Sequence, residues 1–103
     1  MAEYVSVGDA GEVPEGGARP FEAGGQPIAV ARVGGALYAF SDVCTHRGCL
    51  LAAGGELEGT AISCECHGSM FSMETGEALE GPAIEPIATF PVREADGRIE
   101  VEV

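Results

Sequence analysis

The chain has 103 residues, the size of one domain with a single modest core. Seventeen Asp and Glu stand against five Arg and no Lys, and the formal net charge of −12 argues against nucleic acid, whose phosphates are bound through Lys and Arg. Hydrophobic residues make up 46%, yet no apolar run is long enough to cross a membrane. The first residues, Met1-Ala-Glu-Tyr-Val-Ser-Val, have neither the basic nor the apolar region of a signal peptide.

Taken in order, the elements read as short strands. Tyr4–Val7 alternates weakly and opens the first strand. Asp9–Gly17, with Pro14 and paired glycines, is a turn-rich link. Pro27–Val33 and Ala36–Ser41 flank Gly34-Gly35 and read as a hairpin with a tight glycine turn. Thr60–Ser63 and Ser69–Met73 are two further short strands. Ala88–Val92 and Ile99–Val103 close the sheet, joined through a turn at Ala95-Asp96-Gly97. No segment sustains helical periodicity beyond a single turn. The expected fold class is all-β, a small antiparallel sandwich or barrel, and the 16 glycines serve its turns.

Two boxes contain every cysteine and histidine: Cys44-Thr-His46-Arg-Gly-Cys49 and Cys64-Glu-Cys66-His67-Gly-Ser69. Each offers a Cys followed by a His, at C-x-H in the first and C-x-x-H in the second. Two thiolates and two imidazoles suit tetrahedral zinc. The usual zinc pattern, however, pairs Cys with Cys and His with His, whereas each box here is mixed and has a further Cys. A [2Fe–2S] cluster with Cys on one iron and His on the other explains the mixture better.

These boxes resemble those of Rieske iron–sulfur proteins. The resemblance extends through Gly54-Gly-Glu-Leu-Glu-Gly59 and Gly76-Glu-Ala-Leu-Glu-Gly-Pro-Ala83. It implies a Rieske-like fold in which a base (1–41 and 76–103) receives an inserted cluster-binding subdomain (42–75), with one [2Fe–2S] cluster per chain. By the same resemblance Cys44 and Cys64 bind the buried iron, and His46 and His67 the iron nearer solvent. Cys49 and Cys66 match the pair joined in a disulfide in Rieske subunits of cytochrome bc complexes, worth roughly 3 kcal/mol in the chain-entropy model. Ser69 matches a serine whose hydroxyl donates to a bridging sulfide, which favours the extra electron. Phe71 stands where high-potential members place a tyrosine. Glu65 replaces a frequent proline, so an intermediate potential is expected. Gly48 and Gly68 allow backbone amides to approach the cluster, and Gly81-Pro82-Ala83 resembles the loop that covers it, with Pro82 beside the metal.

The functional expectation is a soluble one-electron carrier rather than an enzyme, since no nucleophile or acid–base pair appears beyond the ligands. The resemblance implies a reductase upstream and an oxygenase downstream, with docking at the outer nitrogens of His46 and His67. The acidic surface fits steering onto a basic patch of a redox partner. Rieske subunits of bc complexes have an amino-terminal membrane anchor. Without an anchor or leader here, the expected compartment is the cytoplasm. Two alternatives stand beside this reading: a Rieske component of a respiratory quinol- or arsenite-oxidising assembly, for which Cys49, Cys66 and Ser69 speak, and a zinc-stabilised interaction module.

Overall fold

A computed structural model describes residues 3–43, 51–52, 56–64, 68–81 and 85–102. Its described residues form eleven strands in three antiparallel sheets. The first sheet orders β1 (Tyr4–Asp9), β11 (Arg98–Glu102) and β10 (Val92–Ala95). The central sheet orders β2 (Gly17–Ala23), β3 (Gln26–Val33), β4 (Ala36–Ser41) and β9 (Thr89–Phe90). The third orders β5 (Glu56–Glu58), β6 (Ala61–Ser63), β7 (Met70–Ser72) and β8 (Ala78–Glu80). The helical content among the described residues is one 3-10 turn at Ala10–Glu12.

Strand β3 explains how the sheets stack. Side chains alternate across a strand, and both faces of β3 are buried. Ile28 and Val30 enter one core with Val13, Ala39, Ile99 and Val101, between the first and central sheets. Ala29 and Ala31 enter a second core with Phe40, Leu51, Ile62, Phe71 and Met73, beneath the third sheet. The small alanines leave room there for two phenylalanines, both fully buried.

The Gly34-Gly35 hairpin forms with register Val33↔Ala36, both glycines taking positive φ (61° and 81°), as a primed two-residue turn demands. Glu15 locks it: its two carboxylate oxygens accept the amides of Gly34 and Gly35 at 2.7 and 2.8 Å. These bonds, Gly35's first, hold its carboxyl below the ordinary value of 4.5. A lowered acid stabilises the folded state above its unfolded value and loses that contribution as pH falls through the lowered one. Glu15→Gln is therefore expected to lower Tm at neutral pH and to flatten the acid limb of a Tm-versus-pH series; an unaltered acid limb would contradict this.

The closing strands differ from the sequence reading in one respect. Asp96-Gly97 does make the turn, with φ of 52° and 76°, but it joins β10 to β11 with register Ala95↔Arg98. The expected strand Ala88–Val92 is divided at Pro91. Thr89–Phe90 pairs with β4, while Val92 begins the partner of β11, because proline lacks the N–H that a continuous ladder needs. β2 was not among the expected strands, and it contains Pro20. It is tolerated because β2 is an edge strand.

The chain leaves the central sheet at Ser41 and returns at Ala88, and those two ends meet: the Ser41 amide donates to the Ala88 carbonyl at 2.8 Å. Both Cys/His boxes lie in the stretch between them.

Candidate metal centre

Cys64 follows β6 and is 2% exposed. Strands β6 and β7 pair with register Ser63↔Met70, so the second box, residues 64–69, connects two paired strands. Two backbone bonds close that loop: the Cys64 amide donates to the Ser69 carbonyl at 2.6 Å, and the Gly68 amide to the Cys64 carbonyl at 2.9 Å. Gly68 takes φ of 74°, a left-handed conformation that disfavours side chains. Ser69 is fully buried. Phe71, on β7, is fully buried and lies in one apolar cluster with Cys64.

Asp42, two residues ahead of the first box, is 1% exposed and draws residues 51 and 52 to it in a neck. Its amide donates to the Pro27 carbonyl at 3.2 Å, its own carbonyl accepts the Leu51 amide at 2.7 Å, and its carboxylate accepts the Ala52 amide at 2.7 Å. Burial pushes the Asp42 carboxyl up, against the pull of the Ala52 and Leu51 amides. Leu51, fully buried, anchors the neck in the apolar cluster of Cys64, Ile62 and Phe71. The first box lies in the chain between Asp42 and Leu51, the two residues joined by this closure. Asp42→Ala leaves the Ala52 amide unpaired in the interior and is expected to cost about 1–3 kcal/mol in urea unfolding, while Asp42→Asn retains an acceptor and most of the stability. Equal losses would show that the carboxylate oxygen does not hold the neck.

A third segment approaches the second box at Gly68 and Ser69. The Gly76 amide donates to the Ser72 carbonyl at 2.8 Å, and its carbonyl accepts the Ile87 amide at 2.9 Å. Gly81 (φ 92°) then lies so close that an added Cβ would sit 2.5 Å from the Cα of Ser69. The loop expected to cover the site therefore begins in direct backbone contact with the second box.

Of the residues expected at the site, Cys64, Gly68, Ser69 and Phe71 are described and are brought together. Cys44, His46, Gly48, Cys49, Cys66, His67 and Pro82 lie outside the described residues. Asp42 and Leu51 were not anticipated. Asp42 has a faint sequence signal, an acid between an apolar strand and the first box, but its partner ten residues on is visible only in three dimensions.

The surroundings fit a [2Fe–2S] cluster. A cysteine is held in a dry wall of Leu51, Ile62 and Phe71, a buried hydroxyl residue closes the same loop, and glycine stands where another segment approaches backbone to backbone. A family model for the Rieske [2Fe–2S] domain matches residues 3–91. The chain belongs to the Rieske family. It is 34% identical over 103 residues to the anthranilate 1,2-dioxygenase ferredoxin subunit of Burkholderia cepacia, covering 100% of this chain and 94% of that one. It is 32% identical over 103 residues to the cytochrome b6-f complex iron-sulfur subunit of Chlorobaculum tepidum, covering 100% of this chain but 55% of that one. Its structure is similar to the ferredoxin of carbazole 1,9a-dioxygenase from Nocardioides aromaticivorans IC177, with a TM-score of 0.89, 26% identity and 95% of each chain covered. As a Rieske protein of this kind the chain is an electron carrier with one [2Fe–2S] cluster, an electron-transfer component rather than a catalyst. That membership sets the zinc alternative aside. Among the described residues no helix is long and apolar enough to cross a membrane.

Proposed function

We propose that this Rieske protein passes single electrons from a reductase to an oxygenase in the cytoplasm. The observation that carries the reading is full-length similarity to a dioxygenase ferredoxin subunit, joined to a buried Cys64–Ser69 loop beneath a glycine-tight cover. Cys44, Cys64, His46 and His67 are the proposed ligands, and Cys49 and Cys66 the proposed disulfide. When bound, the cluster accepts and releases one electron. The chain's own residues do the rest: Leu51, Ile62 and Phe71 exclude water, Ser69 presents a hydroxyl, Gly48 and Gly68 leave room for close approach, Pro82 belongs to the covering loop, and His46 and His67 meet the partner.

We also propose an insertion into a β base, with its end at Ile87 rather than at residue 75. Support comes from β8, which continues the third sheet to Glu80, and from the return of the chain beside Ser41 at Ala88.

The test is film voltammetry from neutral to alkaline pH. One reversible one-electron couple is expected within the Rieske span of about −150 to +300 mV, its potential falling at high pH as the ligand histidines lose protons. A protein without a reversible couple would sink the reading. A value near the top of the span would favour the second reading, a component of a quinol- or arsenite-oxidising assembly, toward which the similarity to a cytochrome b6-f subunit points and against which Phe71 stands.

A further inference from the structure

Leu79 is the large hydrophobic side chain that stands out in solvent among the described residues, at 49% exposure. Its exposure has a backbone cause. Where β7 pairs with β8, Met70 faces Glu80 and Phe71 faces Ala78, so Leu79 is an extra residue with no partner across the ladder. A bulge re-aims side chains and bends the strand. Here Leu79 is turned outward while Ala78 stays packed on the cluster of Phe71 and Cys64. β8 is also the edge of its sheet.

The surrounding charge has one sign. Glu77 and Glu80 flank Leu79, Glu74 stands on the preceding turn, and all three are exposed. From Gly48 to Val92 the sequence has no Lys or Arg. The ion pairs seen among the described residues, Arg32–Glu94, Arg93–Glu100 and Arg98–Asp9, are all made by strands of the base. The patch adjoins the metal centre, because Glu80 pairs with Met70, next to Ser69, and Gly81 touches Ser69.

We propose that Leu79, ringed by Glu74, Glu77 and Glu80, is a docking surface for a redox protein that presents an apolar recess ringed by lysine and arginine. This rests on the electron-carrier reading and adds the face that the partner covers. A single apolar anchor is desolvated at the centre, while the charged rim sets the approach rate and the salt dependence. A second copy of the chain is a poor occupant, since its own glutamates would meet these across the edge.

The probe is cytochrome c, a lysine-rich haem protein, titrated at low ionic strength with both proteins oxidised so that only docking is read. Glu77→Gln/Glu80→Gln is compared with Glu3→Gln/Glu22→Gln, exposed glutamates of the base; each pair moves the net charge from −12 to −10. The first pair is expected to weaken binding about tenfold and the second less than about twofold. Leu79→Ser is expected to weaken it about threefold with the salt slope unchanged. Equal weakening by the two pairs, an indifferent Leu79→Ser, a Leu79→Ser effect confined to self-association, or no measurable binding by the parent would each overturn the proposal. An unchanged visible absorption and circular dichroism spectrum certifies each variant's fold. A parent without a reversible couple would instead overturn the electron-carrier reading, so the two failures are distinguishable.

Discussion

Gly81→Ala is expected to be the most damaging single methyl in the molecule. At φ of 92° an alanine is already strained, and its Cβ would lie 2.5 Å from the Ser69 Cα, 2.9 Å from the Ser69 nitrogen and 3.0 Å from the Gly68 oxygen. All three are backbone atoms of a loop pinned by two hydrogen bonds, so no side chain can swing away. Strain and overlap together are expected to exceed about 4 kcal/mol, and the cover must lift off the second box. The measurement is the rate at which visible absorbance bleaches in mild urea, expected to rise about a hundredfold or more. Gly59→Ala is the control. It shares a positive φ, 61°, but its added methyl meets nothing within 4 Å, so the cost is about 1–2 kcal/mol. Similar bleaching in both variants would mean that conformation alone, and not the contact with Ser69, matters at Gly81.

The second large effect is electrical. Ser69 is fully buried in the loop that begins at Cys64, and its proposed role is to donate a hydrogen bond toward the metal centre. A hydrogen bond to a charged acceptor contributes about 1.5–3 kcal/mol. If that energy is gained mainly in the reduced state, Ser69→Ala lowers the midpoint potential by about 60–130 mV, at 59 mV per tenfold for one electron. Phe71→Tyr is expected to move it upward, since it supplies a hydroxyl from the fully buried position that shares an apolar cluster with Cys64. Voltammetry of both variants at one pH decides. A Ser69→Ala potential within about 20 mV of the parent would remove the hydroxyl from the proposed tuning.

Family membership was legible because the two Cys/His boxes are local in sequence, and Cys44, His46, Cys64 and His67 stay the proposed ligands. The turn at Gly34-Gly35 was legible too, its residue types matching the φ values they take. What was hidden depends on contacts remote in sequence. β5 (Glu-Leu-Glu) and β8 (Ala-Leu-Glu) have no β-branched or aromatic residue to mark them as strands, unlike β6 and β7 of the same length. β2 carries Pro20, which an edge strand tolerates. Asp42 looked like any loop-edge acid, because its work is to accept amides from residues 51 and 52. Leu79 gave no sign either, as an apolar residue in a short strand is ordinarily turned inward. Only the mismatch between two paired strands puts it outside.

The hydrogen bond between Ser41 and Ala88 has a practical meaning for protein engineering. A stretch that departs and returns at adjacent points can be treated as a cassette, because the recipient need only offer two neighbouring backbone positions on antiparallel strands. Excising residues 42–87 and joining the ends with a short turn would leave β3 and β4 paired as before, with the Val13–Ile99 core intact. The same stretch carries both Cys/His boxes and Gly81, so transplanting it would move all four proposed ligands together while the host supplies the floor that Ala29, Ala31 and Phe40 provide here.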